Sequence, residues 1–192
     1  MIWLASKSPR RQQLLRQIGV AFEVLLPEDA EAAEALEATR QGEPPNAYVQ
    51  RVALAKLALA RDSAQAGTAA QRPILCADTT VAIGGRILGK PDDDEQALQM
   101  LRLLSGRTHR VITAVAVWRA GKVRHRVQVS RVRFARLTDA QMRAYVAGGE
   151  GRDKAGGYGI QGVAGGFVKR IEGSHSGIMG LPLYDTRLLL GI

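Results

Sequence analysis

The sequence predicts an α/β fold with a mixed, twisted sheet flanked by helices, and three observations carry that expectation. Short apolar runs of strand character alternate along the chain with stretches of helical apolar spacing. Helix-starting residues recur between them: Ser8-Pro9, Pro44-Pro45, Pro91 before the acids at 92–95, and Thr138. Two long alternating runs, residues 110–118 and 123–134, flank Ala120-Gly121 and read as an antiparallel hairpin, so the sheet is not wholly parallel.

Taken in order, residues 1–5 form a buried strand. Ser8 caps the first helix, Pro9 opens it, and Leu14, Leu15 and Ile18 make its apolar stripe. Residues 22–26 are a second short strand. Residues 28–43 are acidic and Ala-rich without a strong apolar period, and read as a mobile, partly helical segment. Pro44 and Pro45 start a long helix whose apolar surface is Tyr48, Val52, Leu54, Leu57 and Leu59. A polar connection over 62–72 leads to a central strand at 73–77. Residues 80–83 and 86–88 flank Gly84-Gly85 as a hairpin. The acids at 92–95 suit a helix N-terminus, Leu98, Met100, Leu101 and Leu104 continue that helix, and Gly106 ends it. After the long hairpin, Thr138 caps a helix carrying Met142 and Tyr145. A Gly-rich loop at 148–166, a strand at 167–171 and a helical segment at 181–190 complete the chain.

At 192 residues the chain fits one domain, 1–192, with a substantial core and two lobes around a central cleft as the expected layout. The net charge is +9 and the isoelectric point about 10.3, which suggests a polyanionic partner: a nucleotide, a nucleic acid or an anionic membrane. Aromatic residues are only 5%, basic residues are dispersed, and zinc-finger or RNA-recognition signatures are missing, which argues against nucleic acid. One cysteine, Cys76, leaves no internal disulfide and no cysteine metal cluster. No apolar run approaches a membrane span and no leader pattern opens the chain, so no membrane partner and a cytoplasmic location are expected. The three histidines, His109, His125 and His175, show no metal spacing and are read as structural or exposed.

The most informative stretch is Ser6-Lys7-Ser8-Pro9-Arg10-Arg11. A helix N-terminus carries partial positive charge and prefers Asp or Glu, yet this one holds Lys7, Arg10 and Arg11. Cations there gain stability if an anion sits among them. Free N–H groups, the Ser8 hydroxyl and two guanidiniums together make a phosphate site. Asp78 and Thr79 follow the apolar run at 73–77, at what reads as a strand's carboxyl end, where α/β proteins bind ligands. An Asp there either caps a turn or serves as a metal ligand or general base. Lys56 lies in a small, apolar helix segment and either snorkels to water or points at an anion. Lys90, in Gly89-Lys90-Pro91, is either a solvated turn residue or a phosphate contact. In residues 153–162, glycines permit tight turns, Tyr158 offers a ring for stacking, and Gln161 offers a paired donor and acceptor for a base edge.

These segments, in this order, resemble the Maf family of nucleotide pyrophosphatases: Leu4-Ala5-Ser6-Lys7-Ser8-Pro9-Arg10-Arg11, Ala77-Asp78-Thr79, Gly89-Lys90-Pro91, Leu104-Ser105-Gly106, Asp153-Lys154-Ala155-Gly156, Tyr158-Gly159-Ile160-Gln161-Gly162 and Gly180-Leu181-Pro182. The resemblance implies a cytoplasmic, often dimeric enzyme, similar in fold to the inosine triphosphate pyrophosphatases. Its implied reaction is hydrolysis of a nucleoside triphosphate to the monophosphate and pyrophosphate with a divalent metal, magnesium or manganese. By the same resemblance Asp78 matches a general base. Ser8, Arg10, Arg11, Lys56 and Lys90 match phosphate-side residues, and Arg11, Thr79 and Gln161 match positions tied to substrate choice. The Asp-Thr pair and the Tyr-Gly-Ile-Gln loop look like the branch acting on dTTP and UTP. Where the family often carries paired acids after the second strand, this chain has Ala30-Glu31, making Glu31 the expected metal partner of Asp78. The competing expectation is a nucleotide- or nucleic-acid-binding protein without turnover.

Overall fold

The computed structural model describes residues 1–27, 30–65 and 72–192. Positions 28 and 29, at the head of the acidic segment, and 66–71, in the polar connection expected over 62–72, lie outside the described residues. The strands are β1 (Ile2–Leu4), β2 (Phe22–Val24), β3 (Ile74–Ile83), β4 (Arg86–Leu88), β5 (Thr108–Arg119), β6 (Lys122–Phe134) and β7 (Val168–Glu172). The helices are α1 (Pro9–Gln17), α2 (Ala30–Ala35), α3 (Pro45–Gln65), α4 (Asp94–Leu104), α5 (Asp139–Ala147), α6 (His175–Ile178) and α7 (Leu183–Leu190). The strands make one mixed sheet in the order β2-β1-β3-β5-β6-β7, with β4 added to β3. β1 runs parallel to β2 and β3, and the other pairings are antiparallel. The expected mixed α/β architecture is what the chain forms. No helix among the described residues is long and apolar enough to cross a membrane.

Period-two alternation explains the layering. On β3 and β5, Ile74, Cys76, Ala82, Ile112, Ala114 and Ala116 all face α3, whose Val49, Val52, Ala53 and Leu57 cover them. The opposite face divides in two. Leu75, Ala77, Val115 and Val117 pack on Leu14, Leu15 and Leu189 from α1 and α7. Val81, Ile83 and Val111 pack on Leu98, Leu101, Leu104 and Tyr145 from α4 and α5. Between these clusters stand two polar residues, Thr79 and Thr113, direct cross-strand partners.

Both hairpin turns need left-handed backbone. Gly84 and Gly85 have φ of 57° and 85°, and Ala120 and Gly121 have 50° and 75°, the signature of two-residue turns matched to strand twist. Ser8 and Thr138 cap α1 and α5 through their side chains, as read from sequence, and Asp93, within the acidic run expected at a helix start, caps α4.

Two local expectations are corrected. Asp78 and Thr79 do not follow a strand; they lie in the middle of β3, paired with Ala114 and Thr113 of β5. The strand runs on because its other edge changes partner: β1 covers only Ile74 and Leu75, and β4 covers Val81 to Ile83. Among the described residues no strand pairs with positions 76–80 on that edge. The acidic segment is also more structured than expected. It contains α2 and is tied to α3: the Tyr48 hydroxyl donates to the Glu37 carbonyl, and Arg51 donates to the Leu36 and Ala38 carbonyls and to Glu43.

Candidate active site

The open edge of β3 is the floor of a cleft of about 740 Å³. It is lined by the start of α1, by α3, by Gly89-Lys90, by the loop at 153–162 and by Met179-Gly180. Because β1 stops short, side chains from both faces of β3 look into one space. Ser8, Arg10, Arg11, Lys56, Asp78, Thr79, Lys90 and Gln161 all line it. Glu31 does not. It is exposed on α2, and the acids that reach the cleft from this region are exposed Glu34 and half-buried Glu37.

The α3 side of β3 carries charge. Lys56 Nζ donates to Asp78 Oδ1 at 2.8 Å and to Glu37 Oε1 at 2.6 Å, and Lys90 Nζ reaches Glu37 Oε2 at 3.2 Å. Asp78 is 6% exposed. Burial disfavours the Lys56 ammonium, but the Asp78 and Glu37 carboxylates outweigh it and hold its pKa above the ordinary value. Burial alone would raise Glu37; Lys56 and Lys90 reverse that and hold it below the usual carboxylate range. The sequence left open whether Lys56 snorkels or points at an anion; it points at two.

The opposite side of β3 carries neutral polar groups around Arg11. Its Nε donates to the Gly180 carbonyl at 2.9 Å, Nη1 to Ser6 Oγ at 3.1 Å and Nη2 to Thr79 Oγ1 at 3.4 Å. Burial lowers its pKa, and Asp78 opposes the fall. These hydrogen bonds all end on neutral oxygens, so the guanidinium charge is left to attract an electron-rich ligand. Arg10 pairs loosely with exposed Asp153 at 3.5 Å. The first turn of α1 has no acid, so the positive end of the helix faces the cleft with its arginines. Cys76 is fully buried and its thiol is pushed up to about 12 by burial, which makes it a core residue and not a nucleophile.

The Gly-rich loop is pinned. Gly156 has φ of 73°, and a Cβ there would come within 2.9 Å of Val81 Cγ2, so only glycine fits against the sheet. The Tyr145 hydroxyl accepts from Gly159 N and donates to Glu150, whose other oxygen accepts from Val163 N. Tyr158 is not a stacking platform. It is 5% exposed and packs edge-on against His109 and Phe134, with ring centroids 5.4 and 4.8 Å away. This apolar anchor leaves Gln161, three residues on, exposed at the cleft.

The anchor makes the fold acid-sensitive. His109 Nε2 lies 2.7 Å from the Tyr158 hydroxyl, and its buried Nδ1 has no hydrogen-bond partner among the described residues. Burial lowers its pKa to about 4. The unfolded chain takes up this proton at its ordinary pKa of about 6.5, the folded chain only near the lower value. The stabilisation is therefore complete above about pH 6.5 and declines as pH falls toward 4, by about 2 kcal/mol at pH 5. Urea unfolding at pH 7.5 and pH 5 measures it: His109→Gln is expected to lose about 2 kcal/mol less than wild type over that interval. Equal losses would assign the acid sensitivity elsewhere.

Sequence reasoning missed Glu37, Thr113 and the short helix α6. A lysine in an apolar helix was a signal that an acid was needed; nothing local said which acid would supply it.

A family model described as Maf-like protein matches residues 1–191. A dTTP/UTP pyrophosphatase of Ralstonia nicotianae is 59% identical over 191 residues, 98% of this chain and 92% of its own. A dTTP/UTP pyrophosphatase of Cupriavidus pinatubonensis is 52% identical over 189 residues, 98% of this chain and 94% of its own. Among solved structures, the Staphylococcus aureus Ham1 protein is similar at a TM-score of 0.40 and 14% identity, over 70% of this chain and 71% of its own.

Proposed function

The chain belongs to the Maf-like protein family, and on that premise we propose that it hydrolyses dTTP and UTP to the nucleoside monophosphate and pyrophosphate. The observation that carries the reading is a deeply buried carboxylate, Asp78, in a cleft that also gathers Arg10, Arg11, Lys56, Lys90 and a helix N-terminus. Full-length likeness to relatives named for this activity supports it.

Water attacks the α-phosphorus in line. Its oxygen forms the new P–O bond, the bridging bond to the β-phosphate breaks, and pyrophosphate departs with that electron pair. Asp78 orients the water and takes its proton. Arg10, through its side chain and its backbone N–H, and Lys56 and Lys90 hold the phosphate oxygens and spread the charge that builds on them. Arg11, Thr79 and Gln161 face the base. A cytoplasmic location fits a free, buried thiol and a soluble nucleotide substrate.

A divalent cation would be held by Asp78 and Glu37, the two carboxylates that converge on the Lys56 ammonium and would exchange it for the ion; the described residues contain no cluster of three acidic, histidine or cysteine ligands. Such a pair suits magnesium or manganese completed by phosphate oxygens and water. The ion would supply Lewis-acid polarisation of the phosphoryl oxygens.

The deciding experiment incubates the purified protein with common and modified nucleoside triphosphates, with magnesium, manganese or excess chelator, and identifies the phosphorus products. Pyrophosphate and monophosphate from dTTP and UTP are expected, with turnover abolished by chelator. Orthophosphate would make the protein a phosphatase. Absence of turnover, with steeply salt-dependent binding to DNA or RNA, would make it a binding protein.

A further inference from the structure

Thr79 and Thr113 interrupt their strands where two apolar clusters of one sheet face meet, and their hydrogen bonds have a fixed direction. Thr113 is fully buried, and its hydroxyl donates to the Gly177 carbonyl at 2.8 Å. A carbonyl has no proton to give, and Thr113 has only one. In the 2.9 Å contact between the two hydroxyls, Thr79 must therefore be the donor. That occupies the Thr79 proton in turn. Arg11 Nη2 donates to Thr79 Oγ1, which uses one of its two lone pairs. Half-buried Thr79 is thus left with a lone pair, and no proton, for a ligand in the cleft.

We infer that Thr113 is a positioning residue for base selection: by accepting the Thr79 proton it makes Thr79 an acceptor-only group toward the bound pyrimidine. The inference rests on the pyrophosphatase reading of this cleft and extends it. Uracil and thymine present N3–H, a donor, beside carbonyl oxygens. Thr79 Oγ1 accepts from N3–H, while the adjacent Arg11 Nη2, which carries a second N–H, donates to the neighbouring carbonyl. In cytosine N3 is an acceptor. The same placement then sets lone pair against lone pair, and the base must slide along its edge to offer its amino group. A hydroxyl free to turn would donate to cytosine N3 as readily as it accepts from N3–H of uracil. Thr113 removes that freedom, and the Gly177 carbonyl holds Thr113 in the orientation that does so.

The test compares kcat/KM for UTP and CTP in wild type, Thr113→Val and Thr113→Ser, with melting temperatures recorded alongside. Valine keeps the shape and loses the acceptor; serine keeps the acceptor. The UTP to CTP preference is expected to fall about tenfold or more in Thr113→Val and to stay within about threefold of wild type in Thr113→Ser. A merely structural role would lower both substrates together and leave the ratio where it was. An unchanged ratio in folded Thr113→Val overturns this inference alone. Wild-type protein releasing pyrophosphate from neither UTP nor dTTP overturns the pyrophosphatase reading, and this inference with it. Should Thr113→Val fail to fold, Thr79→Val decides the matter: loss of the oxygen must lower UTP turnover more than CTP turnover, and equal losses overturn the inference.

Discussion

Asp78→Asn is expected to lower pyrophosphate release from UTP on the order of a hundredfold or more, with the protein still folded. The amide keeps the size and one hydrogen-bonding oxygen for Lys56, and Lys56 keeps Glu37 at 2.6 Å as its counter-ion. The fold therefore loses one charge from the four-member network of Asp78, Lys56, Glu37 and Lys90, and no packing volume. The chemistry loses more. An amide has no useful basicity, and among the described residues Asp78 is the one deeply buried carboxylate facing the cleft. Glu37 is a poor substitute: two lysines hold it below the usual carboxylate range. The expected pattern is a fall in kcat with a modest change in KM and a melting temperature within a few degrees of wild type, about the shift one weakened ion pair causes. Turnover within about threefold of wild type would remove Asp78 from the reaction.

How much of this was readable beforehand differs between fold and site. The fold was legible wherever a residue's own neighbours determine its state. Ser8-Pro9 and Thr138 announce their helices, and the acids at 92–95 the start of α4, because capping is a matter of the first turn alone. Ala120-Gly121 marked a turn because two-residue hairpins need left-handed backbone. The site was legible in part. Asp78 and Thr79 stood out at the end of an apolar run, but that the strand continues through them depends on where β1 stops and β4 begins, and those lengths are written elsewhere in the chain. That same interruption opens the cleft to both faces of β3 and brings Asp78 and Thr79 into one space, although they point in opposite directions. Glu37 carried no periodicity to single it out, and Thr113 looked like any β-branched residue in a strand. Their roles come from contacts across 19 and 64 positions of sequence, which local pattern does not encode.

Loss of Lys56 should cost the fold heavily, and Lys56→Met tests it. The ammonium sits between Asp78 and Glu37, with 19% of its own side chain exposed and 9% and 33% of theirs. Methionine fills the apolar part of the space and removes the charge, leaving two carboxylates side by side, one deeply buried, with Lys90 paired to Glu37 and Arg11 acting on Asp78 without an ion pair. Removing one partner of a buried pair destabilises by about 3 to 5 kcal/mol, because the remaining charge is left without compensation. The pH dependence identifies the cause. In wild type, Glu37 is held below its ordinary pKa, so its stabilising share is complete above that value and is lost as pH falls through the lowered one. In Lys56→Met the facing carboxylates repel, and the folded state raises the affinity of one of them for a proton. The variant therefore loses stability as pH rises through that raised pKa and regains it on acidification. Urea unfolding should show the widest gap between the two proteins near pH 7.5 and a clear narrowing by pH 5, with Lys56→Arg closer to wild type at both. A variant as stable as wild type at pH 7.5 would mean that the two carboxylates relax apart into water, and that the network is an incidental surface ion pair and not the electrostatic centre of the cleft.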